Sequence, residues 1–141
     1  MLQTEKIREL RQRVAGLATS WVELMHYVYK EEEVDIPRTV NCYLFTHWIF
    51  NECGIILPRD LRGQSWYGQG VSSRASWALA DLIFTKGSQG QEVADGVGHV
   101  GIIGNGVVIH ASCKRRHVVA EPIGPFLTDY ELVRVRRMIN Y

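Results

Sequence analysis

The stretch Gly98-His99-Val100-Gly101-Ile102-Ile103-Gly104-Asn105-Gly106-Val107-Val108-Ile109-His110 decides how the second half of the chain folds. Apolar runs flank Gly104-Asn105-Gly106, and Asn and Gly tolerate the positive φ of tight turns. The stretch therefore reads as a β-hairpin with a histidine on each strand. Its register decides what the histidines can do. With Gly104-Asn105 as the loop, His99 lies directly opposite His110. With Asn105-Gly106 as the loop, His110 is diagonal to His99. Both registers put the two rings on one face of the sheet, whereas a three-residue loop would put them on opposite faces.

Strand periodicity extends outward from this hairpin. Residues 81–84, 99–103, 107–111, 117–121 and 132–138 read as short strands. Upstream the period is helical. Ile7, Leu10, Val14, Leu17, Trp21, Leu24 and Val28 form one apolar stripe, which predicts a helix over residues 4–30. Ser20-Trp21-Val22-Glu23 fits a capping box, which leaves open a break near Thr19 into two helices. Glu31-Glu32-Glu33 reads as a solvated helix end and Pro37 as part of a loop. Asn41 can cap a second helix, from Cys42 to Cys53, that Gly54 stops. A helix or turn near residues 73–79 is a weaker signal. Helices first and strands after them indicate an α+β fold, with the Cys42 helix packed on an antiparallel sheet. Residues 1–35 are expected to be a helical segment packed on a single globular unit, residues 36–141. The stripe over residues 7–28 also allows a dimer or partner contact.

The composition is that of an ordinary globular domain: 141 residues, 46% hydrophobic, 22% charged, net charge +1. Such a charge balance gives no basis for a nucleic-acid partner. Lys114-Arg115-Arg116 and Arg134, Arg136, Arg137 read as turn and surface charge. No apolar run approaches the roughly 20 residues needed to span a bilayer, so no membrane partner is expected. The polar start, Met1-Leu2-Gln3-Thr4-Glu5-Lys6, lacks the apolar core of a secretion signal. On that reading the compartment stays unknown, and a cytoplasmic protein or one exported by a non-standard route is the expectation. Three cysteines do not make a disulfide framework.

Cys42 falls in the first turn of its helix. There the positive end of the dipole, or a neighbouring imidazolium, would lower the thiol pKa from about 8.5 and favour the nucleophilic thiolate. Cys53 lies at the opposite end and reads as core, and Cys113 stands in a basic turn without an evident base. His47 is five residues on, a rotation of about 500°, so it points roughly 140° away from Cys42. His26 reads as a boundary residue and His117 as a surface one. His99 and His110 remain: one imidazole to take the thiol proton, the other to orient the first ring.

These segments resemble, in order, the NlpC-type cell-wall cysteine peptidases, a papain-like family. The resemblance is carried by Cys42 to Phe50 with Gly54-Ile55-Ile56-Leu57-Pro58-Arg59, by Ala80-Asp81-Leu82-Ile83-Phe84, and by His99-Val100-Gly101-Ile102 with Asn105-Gly106 and Ile109-His110-Ala111-Ser112. It covers roughly residues 38–137, and the hairpin is its most specific part. It implies a papain-like fold and hydrolysis of peptidoglycan stem peptides near γ-D-glutamyl bonds. Cys42 would be the catalytic nucleophile, His99 the base and acid, and His110 the orienting residue. No cofactor or metal is implied. The family's Asp-Cys-Ser-Gly is here Asn41-Cys42-Tyr43-Leu44. Asn41, Tyr43 and Tyr29 become the candidates for substrate and oxyanion contacts. Tyr27 is a second possible position for the upstream tyrosine that supports the oxyanion in this family. Two other readings stay open: another thiol-based amidase, deamidase or acyl transferase, and a non-catalytic peptide- or zinc-binding module on the same fold.

Overall fold

A computed structural model describes residues 2–140, with side chains from Gln3 onward. Met1 and Tyr141, the outer limits of the expected segments, lie outside the described residues. Helix α1 (Leu2–Ser20) opens the chain. Val14 and Ala18 are fully buried on its inner face, and Ile7, Leu10 and Leu17 pack at the edge of the same core. The helix stops ten residues before the expected end at 30. Ser20 does not cap a following helix, because its hydroxyl donates back to the Leu17 carbonyl at 2.6 Å. Trp21 to Leu24 form turns, with Glu23 at φ 66°. His26 and Tyr27 then pair as strand β1 (His26–Tyr27) with β2 (Thr39–Val40), in parallel. Leu24 belongs to the sequence stripe yet is 63% exposed, since the helix has already ended. Glu31–Glu33 form a single 3-10 turn rather than a helix end.

Helix α2 (Cys42–Glu52) is held at its start by Asn41, whose Oδ1 accepts the Leu44 N–H at 2.9 Å. That bond satisfies one of the helix's orphan donors. At the other end Gly54 takes φ 85°, a conformation that costs glycine nothing. Two short helices, α3 (Leu61–Trp66) and α4 (Ile123–Asp129), went unforeseen. Gly124 and Pro125 hide α4 in the sequence, although proline is tolerated in a first helical turn. The weak signal near residues 73–79 is a 3-10 turn at Arg74–Ser76.

Strands β3 (Gln69–Gly70), β4 (Leu82–Thr85), β5 (His99–Ile103), β6 (Val107–Ala111), β7 (Val118–Pro122) and β8 (Leu132–Arg137) form one sheet in the order β3-β8-β4-β5-β6-β7. Every pairing in it is antiparallel. The β5–β6 register pairs Ile102 with Ile109 and Ile103 with Val108, so the hairpin loop is Asn105-Gly106. Gly106 sits at φ 73° in that turn. One face of the sheet, with Leu82, Phe84, Val100, Ile102 and Ile109, joins Phe45, Ile49 and Phe50 of α2 in the main core. The other face, with Ile83, Ile103 and Val108, is closed by Phe126 of α4 and Tyr130 after it. No described helix is long and apolar enough to cross a membrane.

Candidate active site

The hairpin register determines the site. Because Asn105-Gly106 is the loop, His110 stands diagonal to His99 on the same face. His99 Nε2 lies 2.8 Å from His110 Nδ1, a hydrogen-bonding distance between two buried rings. The chain continues, with His110 Nε2 2.7 Å from Oε1 of Glu121 on β7. Sequence reasoning missed Glu121. The signal was available in the same diagonal logic: Glu121 pairs with Val108, two residues from His110 on its own face.

Aromatic rings wall off the two imidazoles. His99 stacks on Tyr130 at 4.7 Å between centroids, and His110 meets the edge of Phe126 at 4.9 Å. Burial disfavours a charged ring, so the pKa of His99 lies well below its ordinary value. His110 is lowered for the same reason, with Glu121 opposing the effect in part. The Glu121 carboxyl is lowered by its bond to His110 and stays ionised.

Cys42, the first residue of α2, lies in the main core beside the start of β5. Its thiol lies within hydrogen-bonding reach of the backbone N–H of Val100, the residue after His99, and of its own N–H and that of Tyr43. These N–H groups favour the thiolate, but burial outweighs them and pushes the thiol from 9.0 up to about 11. The expectation of a depressed thiol pKa at the helix start is therefore reversed in the resting site. Cys53 is buried core and Cys113 is exposed.

The candidate binding residues separate. Asn41 is 3% exposed. Its Oδ1 serves as the cap. Tyr43 is half-buried near Asn41, within electrostatic reach of Glu31 and Arg59, and does not line the cleft. Tyr29 is 77% exposed at the cleft mouth. Tyr27 and Tyr43 both lie within electrostatic reach of Cys42, and the Tyr27 hydroxyl, beside the Cys113 thiol, has its pKa raised by burial. His47 turns away, with Nδ1 3.0 Å from the Leu57 carbonyl. The cleft beside His99 is a space of about 130 Å³, lined by Tyr27, Tyr29, Gln91, Val93, Cys113 and Tyr130 among others. Among the described residues no three His, Cys, Asp or Glu side chains are placed to hold one metal ion. Both nitrogens of His110 are engaged, by His99 and by Glu121, so the cluster is a hydrogen-bond chain and not a ligand set.

Solved structures share this architecture. NlpC2 from Trichomonas vaginalis is 25% identical with a TM-score of 0.78, over 94% of this chain and 47% of that one. The peptidoglycan hydrolase RipB from Mycobacterium tuberculosis is 23% identical with a TM-score of 0.75, over 97% of this chain and 68% of that one. The NlpC/p60 domain of the peptidoglycan hydrolase SagA is 20% identical with a TM-score of 0.71, over 91% of this chain and 98% of that one. The chain spans about half the length of NlpC2. No curated protein sequence matches it. A model of the NlpC/P60 family matches residues 25–137, a span that holds Tyr27, Cys42, both histidines and Glu121, and the chain belongs to the NlpC/P60 family.

Proposed function

We propose that the protein is a cysteine hydrolase acting on bacterial cell-wall peptides, an endopeptidase that cuts stem peptides near γ-D-glutamyl bonds. The observation that carries this reading is the His99–His110 pair, 2.8 Å apart at the end of the strand whose Val100 N–H meets the Cys42 thiol. Family membership supports it, since NlpC/P60 proteins are typically cysteine peptidases or hydrolases.

The chemistry follows from the residues. The Cys42 thiol passes its proton to His99 as sulfur attacks the amide carbonyl. The resting groups are neutral, so proton transfer accompanies attack rather than preceding it. The Cys42 backbone N–H at the start of α2 and the Tyr27 hydroxyl are the donors offered to the oxyanion. His99 then protonates the leaving amine, an acyl-enzyme forms, and water activated by His99 releases the acid. His110 holds the His99 ring in place.

The test is digestion of purified muropeptides, with products followed by mass spectrometry. The wild type should release fragments cut next to D-glutamate, and Cys42→Ala and His99→Ala should not. Turnover of simple amides or esters with intact muropeptides would favour the acyl-transfer reading. Binding of muropeptides without cleavage would favour the binding module.

A further inference from the structure

We propose that Glu121 is a positioning residue whose carboxylate fixes the order of protons along the two histidines. The inference rests on reading Cys42 as nucleophile and His99 as its base.

A carboxylate only accepts hydrogen bonds. At 2.7 Å from Glu121 Oε1, His110 Nε2 must therefore carry a hydrogen and donate it. A neutral imidazole has one N–H, so His110 Nδ1 is then an acceptor. The group facing that acceptor at 2.8 Å is His99 Nε2, which must donate in turn. His99 is left with its lone pair on Nδ1, the nitrogen that can take the thiol proton. The opposite order fails at both ends. It points the lone pair of His110 Nε2 at a carboxylate, and it protonates His99 Nδ1, which then cannot act as base. Two buried rings alone would have no preference between these orders, and Glu121 supplies it.

The surroundings keep Glu121 fit for this role. Its side chain is 13% exposed. Arg115 and Lys114 lie within electrostatic reach and favour its ionised form. His110 itself is wholly buried, against Phe126 and Tyr130, which favours the neutral ring that the argument requires. During attack the thiol proton moves to His99 Nδ1. The resulting imidazolium keeps its Nε2–H bonded to His110, which keeps its own Nε2–H bonded to Glu121. No proton reaches Glu121, whose charge stabilises the imidazolium through the intervening ring.

The test is ring ¹⁵N NMR on the full chain labelled at histidine. In the wild type both His99 and His110 should carry the proton on Nε2. In Glu121→Gln the side-chain amide can turn its NH2 towards His110, so the order should reverse or become mixed. Hydrolysis that depends on Cys42 should then fall by about 10²-fold, while the thermal midpoint stays close to that of the wild type. Glu121→Asp, still an obligate acceptor, should keep the wild-type order. A proton on His110 Nδ1 in the wild type would overturn the proposal, and that spectrum requires no folded variant. An unchanged proton order in Glu121→Gln would overturn it too. The expected tautomers in a wild type that hydrolyses nothing would support the role given to Glu121 and refute the nucleophile reading instead.

Discussion

At neutral pH Cys42 holds its proton, because desolvation at the helix start outweighs the field of the helix. The dipole of a helix is worth about 0.3–1 kcal/mol to a charge, up to about 2 in buried geometries. A thiol moved from 9.0 to about 11 corresponds to roughly 3 kcal/mol the other way. Sequence shows where a thiol sits on a helix but not how deeply tertiary packing covers it, so the direction of this shift was not legible. Alkylation of the free protein should accordingly label exposed Cys113 first. Labelling of Cys42 should rise with pH towards 11, and a Cys42 rate at pH 6 matching that at pH 9, read by peptide mass spectrometry, would contradict this. The histidines make an acid-side prediction. Their folded pKa values lie below the usual 6.5, so below that pH the unfolded chain binds more protons. Stability is therefore full above about pH 6.5 and is lost as pH falls, each ring costing at most about 1.4 kcal/mol per pH unit. Urea midpoints at pH 7.5, 6 and 5 should decline in the wild type and decline less steeply in His99→Gln.

At the scale of elements, turn chemistry and caps were the legible part. Asn105-Gly106 announced the hairpin, Asn41 announced the start of α2, and alternation located β4 to β8 within a residue or two. The first helix was overextended because the apolar stripe continues in period past Ser20, where the chain turns instead to pair β1 with β2. Helix α4 was hidden by Gly124 and Pro125, and with it Phe126 and Tyr130, the rings that bury the histidines. Close approach within the hairpin is a further constraint. A methyl group on Gly101 would fall 2.5 Å from Val108 Cγ1 and 3.1 Å from His110 Cβ. Gly101→Ala should therefore destabilise by about 1–3 kcal/mol. It should also displace the His110 ring, so denaturation and histidine NMR should change together. A stable variant with an unchanged His110 spectrum would refute that packing.

At the scale of the whole molecule, the α+β order was legible from helical periodicity giving way to strand periodicity, whereas the strand order β3-β8-β4-β5-β6-β7 was not. That order depends on contacts between distant residues. Arg137 of β8 illustrates this, donating to both carboxylate oxygens of Asp81 at 2.9 Å. Asp81 is 1% exposed, so the pair ties the last strand to the entry of β4. Asp81→Asn should cost about 2–3 kcal/mol in chemical denaturation, a magnitude reduced because Arg137 is partly exposed. An unchanged midpoint would mean the pair adds nothing. Helix α2 carries Cys42 into the main core against the sheet, and β5, β6 and β7 carry His99, His110 and Glu121 as one hydrogen-bonded row. If Cys42 attacks a peptide amide with His99 as its base, acid-quenching the protein during muropeptide turnover should trap the intermediate, read by intact mass and the Cys42 peptide. The wild type should carry an acyl adduct on Cys42, absent in Cys42→Ala and strongly reduced in His99→Ala. Undiminished cleavage by Cys42→Ala would contradict attack by Cys42.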